Sequence, residues 1–512
     1  MNRHLTQIYY HFWIQYPALF YGMIFLLGIY AAHQPYYSGA ALILLNVPFL
    51  VNFKSLKVLS TPILSLCLYL SGFLFCHANL YYPQIPKEGV EGTALFHISS
   101  FTKLHTISGS KWQFKGKLQS FKPNNELSSE SFFHVPVTVH VGHSPQGPRP
   151  SADQYYIIEG KLLQTEAGRY LFLPSKSKEW LPTQSENSLL EWRFNAKQTV
   201  KRFIRNKIPN ETSAQFLAGL TTGDFENSLM VYELSRFGLQ HIMAISGFHF
   251  SIIAGTLGSI FTLIFQNRVG HIFLILVLTA YFIFLGPSPS IIRAWISILI
   301  MSGSIFLEKK SSSMNSLGIG LMAALIINPE FAWHMGFQFS FAITAAILLL
   351  YPTLDHKLQL FFPSRRLEQT QTMNLIQQHG YIALMLLRQA LALTLTVNLV
   401  ALPLSLFYFQ KFPALGIIYN LFFPWMVSLS IVLLLLGLPL DLLGSMNNWV
   451  HALNGQWTQF VLDYTYGLST HYDLYIHIGL SIGPLLLFLA LILIMGIYFR
   501  ESKTDKIPWN IV

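Results

Sequence analysis

Polar side chains interrupt an apolar stretch at residues 237–255, and their types suit contact with an anion or with water. His241, Ser246 and His249 stand where a simple membrane anchor would repeat leucine and isoleucine. Polar groups are costly in hydrocarbon, so in membrane segments they usually face a bundle interior or a water-filled path. The Ser-Gly step at Gly247 also favours an interrupted helix, which is tolerated at membrane depth when it is buried or lines a cavity. The stretch therefore predicts a polar path through a helical bundle.

Later apolar segments contain further candidates for the same path. Arg293 follows the sequence GPSPSII, and Ser340 and Thr344 are placed to share one helix face. The remaining candidates are Gln338, Asn398 and Asn420. Each also has a structural alternative, because hydroxyls bond the preceding helical turn and amides join helices, while an arginine can snorkel to the interface.

The sequence lacks the common signatures of hydrolysis and nucleotide binding. It contains no GxxxxGK[ST] loop, no GxSxG elbow and no HExxH motif. Its histidines do not follow a close metal-ligand spacing. We therefore expect no catalytic residue, no metal site and no cofactor, and we expect energy to come from partners.

The composition indicates a membrane protein. Of its 512 residues, 52% are hydrophobic and 11% are charged, against about 25% charged residues in soluble domains. Apolar runs recur that reach the roughly 20 residues needed to cross a bilayer, which predicts a mainly α-helical, polytopic protein with about 10–11 transmembrane helices. The net charge of +10 fits either a positive-inside excess in the loops or attraction of a polyanion.

The first half of the chain divides into three regions. Residues 1–82 contain apolar segments near 17–32, 39–53 and 60–78. Residues 83–185 are more polar and show strand periodicity, which predicts a small extracytoplasmic β-barrel or sandwich, with an OB-like barrel favoured. The candidate strands are 92–99, 112–121, 132–141, 155–164 and 169–174.

Residues 186–236 form the third region and are predicted to be amphipathic, interfacial helices. Basic residues alternate with apolar ones in this region, a pattern that favours docking on the membrane surface over contact with nucleic acid. The candidate DNA contacts here and in the β-domain are Lys115, Lys117, Lys197, Lys201, Arg202 and Arg205.

Residues 237–500 are predicted to form a second membrane block, followed by a tail at 501–512. Its segments lie near 238–265, 271–286, 290–307, 314–328, 333–351, 380–404, 413–443 and 477–498. The tract 413–443 contains Pro424 and is either one long bent helix or two half-helices. Residues 445–475 lack lysine and arginine and are predicted to form an outer, interfacial helix.

Basic residues in alternate connectors predict the orientation of the chain. Arg268, the pair Lys309 and Lys310, and the pair 365–366 all fall on one side if the β-domain lies on the other. The positive-inside rule makes their side cytoplasmic. Both termini are then cytoplasmic and the β-domain is outside.

Several blocks resemble, in order, the signature blocks of the ComEC competence family of bacterial DNA-uptake channels. They are FLAGLTTGD (216–224), FGLQHIMAISGFHFSII (237–253), PSPSIIRAWISILIMSG (287–303), INPEFAWHMGFQFSFAITAAIL (327–348) and ALPLSLFYFQKFPALGIIYNLFFP (401–424). The N-terminal spans followed by a small outer β-domain are similar too.

The resemblance implies a multi-pass protein of the bacterial inner membrane that passes single-stranded DNA into the cytoplasm during natural transformation. It also implies membrane lipids, a DNA receptor and a cytoplasmic DNA-translocating ATPase as partners, and a homo-oligomer is left open. Many members continue into a metallo-β-lactamase-like domain that this sequence lacks, so we expect no nuclease activity in this polypeptide. The alternatives are a small-solute transporter and a non-transporting scaffold of an uptake or secretion complex.

Overall fold

The structure is a computed structural model, and the chain is mainly helical with one sheet-rich region. The structure describes all residues of the chain except 1–2, 52–55, 81–84, 87, 107–108, 125–131, 142–149, 152–153, 165–169, 176–179, 183–187, 244–246, 364, 366–368, 371–372, 442–447, 466–472 and 505–512.

The N-terminal block contains four helices arranged around the second. They are α1 (Arg3–Gln15), α2 (Pro17–Ala31), α3 (Pro35–Val51) and α4 (Leu56–Asn79). α1 and α2 meet at 97° because Pro17 cannot donate the hydrogen bond that would continue α1, while its fixed φ suits a new first turn. α2 packs closely on α4, since a Cβ on Gly28 would lie 2.1 Å from the carbonyl oxygen of Tyr69. Small residues allow membrane helices to approach in this way.

The sheet-rich region contains six strands. They are β1 (Val90–Thr106), β2 (Gly109–Pro123), β3 (Phe132–Val141), β4 (Tyr155–Gln164), β5 (Tyr170–Pro174) and β6 (Leu181–Pro182). β1 pairs with both β2 and β4, and the order β1-β2-β3-β5-β4 therefore forms a continuous cycle of pairings. β3 and β5 are parallel, and the other pairs in the cycle are antiparallel. The cycle encloses buried aromatic side chains such as Phe96, Phe114 and Phe172.

The five predicted strands are confirmed, with β6 as an addition that the sequence pattern did not indicate. Alternation of buried and exposed residues is the reason that the strands were recognisable. β6 has two residues, which is too short to show a period.

Four helices connect the sheet to the second membrane block. They are α5 (Leu189–Lys207), α6 (Glu211–Thr222), α7 (Ser228–Arg236) and α8 (Gln240–Met243). Side chains of Ser188, Asn210 and Asn227 accept hydrogen bonds from first-turn N–H groups and so define the starts of α5, α6 and α7. Gly223, with φ of 75°, ends α6 in the left-handed conformation that glycine adopts without strain.

The second membrane block contains nine long described helices. They are α9 (Gly247–Ile264), α10 (Asn267–Leu285), α11 (Pro289–Phe306), α12 (Ser313–Ile327), α13 (Met335–Leu358), α14 (Leu375–Phe409), α15 (Gly416–Asp441), α16 (Asn448–Asp463) and α17 (Ile482–Thr504). A 3₁₀ turn (Pro329–Trp333) precedes α13. A two-stranded ribbon of β7 (Lys411–Pro413) and β8 (Tyr475–His477) links the connector before α15 to the segment before α17.

Within the described residues, eight helices are long and apolar enough to cross a membrane, or nine if the bent α1–α2 pair counts as one span. This count is lower than the predicted ten or eleven. α3 and α12 account for the difference, because they have 17 and 15 residues and fall short of the roughly 20 needed for a full crossing.

Within the tract at 413–443, residues Gly416–Asp441 form the single helix α15, and α16 returns along it. The amide of Asn454 donates to the carbonyl oxygen of Ser430 at 3.1 Å, and the Trp457 indole donates to that of Met426 at 3.0 Å. The Asn454 side chain is buried, so α16 presents a polar stripe to α15 and its exposed face carries residues such as Trp449.

Two apolar cores fill the helical part of the molecule, and α11 borders both. The first core joins α1–α4 with α12, α13, α14 and α17, whereas the second joins α5–α7 with α9, α10, α15 and α16. On α11, Ile292 and Ile296 belong to the first core, and Ile291, Ala294 and Ile298 to the second. Polar residues of α11 between these two sets therefore lie at a seam.

Candidate functional site

The candidate site lies where the start of α9 meets α11 and α13. Arg293 projects from the second turn of α11, and its Nε donates a hydrogen bond to Ser340 Oγ on α13 at 3.0 Å. The Ser340 carbonyl oxygen in turn accepts a hydrogen bond from Thr344 Oγ1 at 2.7 Å. Arg293 Nη2 packs against Gly247, where an added Cβ would lie 2.1 Å from it. Only glycine at position 247 allows this close approach. The structure thus brings together four predicted residues, Gly247, Arg293, Ser340 and Thr344.

The two predicted histidines lie on α8 and α9, on either side of residues 244–246. His249 is buried in the first turn of α9 with 2% of its surface exposed. His241 is exposed, and its Nδ1 lies 3.2 Å from the carbonyl oxygen of Gly238. Ser246, also predicted here, lies outside the described residues.

Arg293 is half-buried, and its charge is less compensated than the charges of the two buried arginines Arg388 and Arg236. Arg388 on α14 donates to Asp355 at 2.9 Å, and Arg236 at the end of α7 pairs with Glu233 and Asp473. In the described part of the chain, no carboxylate lies within salt-bridge distance of Arg293, and its hydrogen bond goes to a neutral hydroxyl. A guanidinium with donors left over, beside a hydroxyl, can bind an anion or ordered water.

Three predicted amides have different surroundings. Gln338 donates to the Tyr30 hydroxyl and the Ala332 carbonyl and accepts from Tyr408, so it joins α2, α13 and α14. Asn398 donates to the Thr394 carbonyl within its own helix. The hydrogen bonds of Gln338 therefore join helices, and the hydrogen bond of Asn398 stays within its own helix. By contrast, the side-chain oxygen of Asn420 is buried and has no hydrogen-bond partner among the described residues.

The basic row on α5 is neutralised by acids from the loop between α6 and α7. Lys201 is buried and lies 2.8 Å from Glu226, which also pairs with Arg205 at 3.2 Å. Lys197 pairs with Asp224 at 3.2 Å. These contacts assign the three cations to docking α5 on the loop between α6 and α7, a role that the amphipathic pattern did not indicate.

Electrostatics within this row follow from burial and pairing. Burial lowers the pKa of Lys197, and the charge of Asp224 offsets this in part. Burial raises the pKa of Glu226, but the hydrogen bond and charge of Lys201, with Gln198 and Arg205, outweigh it, so that the pKa lies below its usual value.

The other predicted DNA contacts remain accessible. Arg202 on α5 is exposed, as is Lys115 on β2. Lys117 is half-buried and stands opposite His97 of β1, whose ring lies 4.8 Å from that of Tyr155 on β4. A cation, an imidazole and a phenol therefore form a row across three strands.

Sequence reasoning missed two long-range polar contacts. Arg236 joins α7 to Asp473 just before β8; the Asp473 hydrogen bond raises its pKa further, with Glu233 adding to it and burial opposing it. Asp441 at the end of α15 accepts from Lys207 at 2.6 Å and lies 3.0 Å from His451 Nε2. The partners are distant in sequence, so no local spacing could have indicated either contact.

Fold and site together define a multi-pass membrane protein with a polar centre between two apolar cores. The sequence profile of the Competence protein family matches residues 227–503, more than half of the chain and the part that contains this centre. The chain belongs to the Competence protein family.

Two curated relatives extend this finding. ComE operon protein 3 of Bacillus subtilis (strain 168) is 24% identical over 237 residues, which cover 44% of this chain and 30% of the relative. The uncharacterized protein MG316 homolog of Mycoplasma pneumoniae is 26% identical over 274 residues, covering 51% of this chain and 68% of the relative. The matched part is thus less than a third of the Bacillus protein. No solved structure matches the chain.

Proposed function

We propose that this protein conducts a single strand of DNA across the bacterial inner membrane during natural transformation. The observation that carries the proposal is the polar centre around Arg293 and His249, which lies inside the region that the family profile matches. A polyanion needs a route whose lining replaces lost water contacts, and polar groups inside membrane proteins usually mark such routes. Hydroxyl, imidazole and guanidinium groups meet that need.

The sheet-rich region would receive the strand as an OB-like barrel on the outer side. Support comes from the cycle of pairings β1-β2-β3-β5-β4, closed by β1 with β4, since a small partly open Greek-key barrel is the OB architecture. The row of Tyr155, His97 and Lys117 offers stacking, worth about 1–3 kcal/mol per base in single-strand binders. Exposed Lys115 extends the cationic edge.

In this proposal the protein is a conduit and not an enzyme. Both termini would be cytoplasmic, a receptor would present DNA outside, and a cytoplasmic ATPase would pull the strand inward. The basic connectors at Arg268, 309–310 and 365–366 support that orientation.

Uptake of labelled transforming DNA tests the proposal. The gene is deleted and then restored with wild type, with His249→Ala or with Phe248→Ala. The last variant is the control, because Phe248 is next to His249 in the chain and is 42% exposed. We expect the deletion and His249→Ala strains to lose internalised strand while they keep outer-surface binding, and Phe248→Ala to restore uptake. Immunoblots of membranes must show equal protein amounts.

The same strains separate the alternatives. Normal DNA uptake in the deletion strain would overturn the proposal and favour a small-solute transporter. Full rescue by His249→Ala, with no uptake in the deletion strain, would favour a scaffold that does not itself conduct the strand.

A further inference from the structure

We infer that Arg293 is the phosphodiester-binding residue of the membrane block, and that it recognises the backbone of the passing strand irrespective of base. The inference rests on the proposed function for the identity of the ligand. It rests on the structure for the site, which consists of Arg293 with Gly247 and Ser340.

The charge of Arg293 calls for an anionic partner that the described residues do not supply. Removing a charge from water is compensated in proteins by a paired charge and by hydrogen bonds. Arg388 has both, with Asp355 and the Phe362 carbonyl as partners. Arg293 has one hydrogen bond, to Ser340, and no carboxylate among the described residues pairs with it. A ligand anion would complete its coordination.

The hydrogen bond to Ser340 leaves the two terminal nitrogens of the Arg293 guanidinium for a phosphate. Ser340 uses the Nε–H, and the two terminal nitrogens are left for the two-pronged contact that arginine makes with phosphate oxygens. Gly247 packs against Nη2, so any side chain at this position would displace the guanidinium.

The position of Arg293 suits a transient contact with a moving strand. It stands at the seam between the two apolar cores, and α11 contributes side chains to both. Within the described residues, Arg293 has no second cation among its hydrogen-bonded or packed neighbours, so the site offers one charge to one phosphate. A single charge-assisted contact can guide a strand without holding it.

Binding of single-stranded oligothymidylate to the full-length protein in lipid nanodiscs tests the inference. The variants are Arg293→Gln, which removes the charge, and Gly247→Ala, which keeps the charge and displaces it. Arg268→Gln is the matched control for net charge, because Arg268 is exposed in the first turn of α10, where it pairs with the exposed Glu308. Gly255→Ala is the control for Gly247→Ala, since nothing lies within 4 Å of its added Cβ.

We expect Arg293→Gln and Gly247→Ala to weaken binding about tenfold or more, as loss of a charge-assisted hydrogen bond does. The slope of log affinity against log salt should fall by about 0.7 for Arg293→Gln, the value of one phosphate contact on a single strand. Arg293→Lys should recover part of the affinity, and a methylphosphonate oligothymidylate should bind wild type and Arg293→Gln equally. The two controls should match wild type.

Wild-type affinity and salt slope in Arg293→Gln would overturn the inference, as would equal binding of charged and uncharged oligonucleotides by wild type. Its failure is distinguishable from failure of the proposed function. If the deletion strain loses DNA uptake while Arg293→Gln binds and restores it, the inference alone is wrong. If the deletion strain takes up DNA normally while Arg293 binds phosphodiesters in nanodiscs, the conduit proposal is wrong and the anion site stands.

Discussion

The clustered cations of α5 and the isolated cation of α11 have opposite surroundings in the fold. Lys197, Lys201 and Arg205 meet Asp224 and Glu226 in a compact network. Arg293 meets a hydroxyl and a glycine. A paired cation docks one helix on another, whereas a cation without a paired acid is available to a ligand.

The comparison shows why basic residues alone are weak indicators of a DNA contact. The richest basic stretch of the chain has its central lysine 3% exposed, with two carboxylates within 4 Å. The stronger candidate is an isolated arginine in an apolar segment. Whether a nearby carboxylate exists, and not how many lysines cluster, separates the two cases.

The largest loss of stability is expected for Arg388→Gln, because Arg388 is the arginine of the membrane block that has a paired acid where Arg293 has none. Its loss leaves Asp355 without its partner, and breaking a buried ion pair costs about 3–5 kcal/mol. Thermal unfolding in nanodiscs should show a large drop in midpoint. A midpoint unchanged from wild type would mean that burial and pairing do not distinguish these arginines.

A somewhat smaller loss of stability is expected for Glu226→Gln. The substitution leaves buried Lys201 with a weaker partner, Asp224, at 3.8 Å, and we expect about 2 kcal/mol, below the full cost because Glu226 is partly exposed. Glu211→Gln is the control, since Glu211 is exposed and bonds Gln215. Equal midpoints for the two variants would contradict a docking role for the α5 row.

Acid should reproduce part of the Glu226 effect. The folded-state pKa of Glu226 lies below its usual value of 4.5, so its contribution to stability is complete above that pH. The contribution is lost as the pH falls through the folded-state pKa. Wild type should therefore lose more stability than Glu226→Gln between pH 5 and pH 3, as followed by urea unfolding. Parallel pH profiles would show that the network does not hold the carboxylate charged.

The smallest effect on stability is expected for Arg293→Gln. Replacing a half-buried charge that lacks a paired acid should leave stability unchanged or raise it by up to about 1 kcal/mol, although oligonucleotide binding is weakened. Thermal midpoints of this variant and of exposed Arg202→Gln should both lie close to wild type. A loss as large as that of Arg388→Gln would show that Arg293 is a structural residue.

Much of the architecture was predictable because it depends on short-range patterns. The strands follow from alternation at residues 92–99 and 132–141, and most helices of the second block follow from long apolar runs. The span count was too high because hydropathy does not register a 15-residue length limit such as that of α12. The return of α16 along α15 also needed the tertiary structure.

The candidate site was predictable by residue type and not by role. Arg293, Ser340 and Gly247 were selected singly as polar or small residues in apolar segments. Gln338 was selected on the same grounds, yet its hydrogen bonds to Tyr30 and Ala332 give it a helix-joining role. Nothing in the local sequence separates the two outcomes, because each depends on a partner many residues away.

By itself, the sequence determined the membrane class, the strand-rich insertion, the family resemblance and the set of polar residues inside the helical block. These depend on composition, period and motif order, all of which are written along the chain. Only the tertiary structure decided which cations are neutralised and which residue faces Arg293. Pairing energies act over a few ångströms in space, and the lysines and arginines that pair here with acids outside their own helix lie from 21 to 237 positions away from them, as with Arg205 and Glu226 or Arg236 and Asp473.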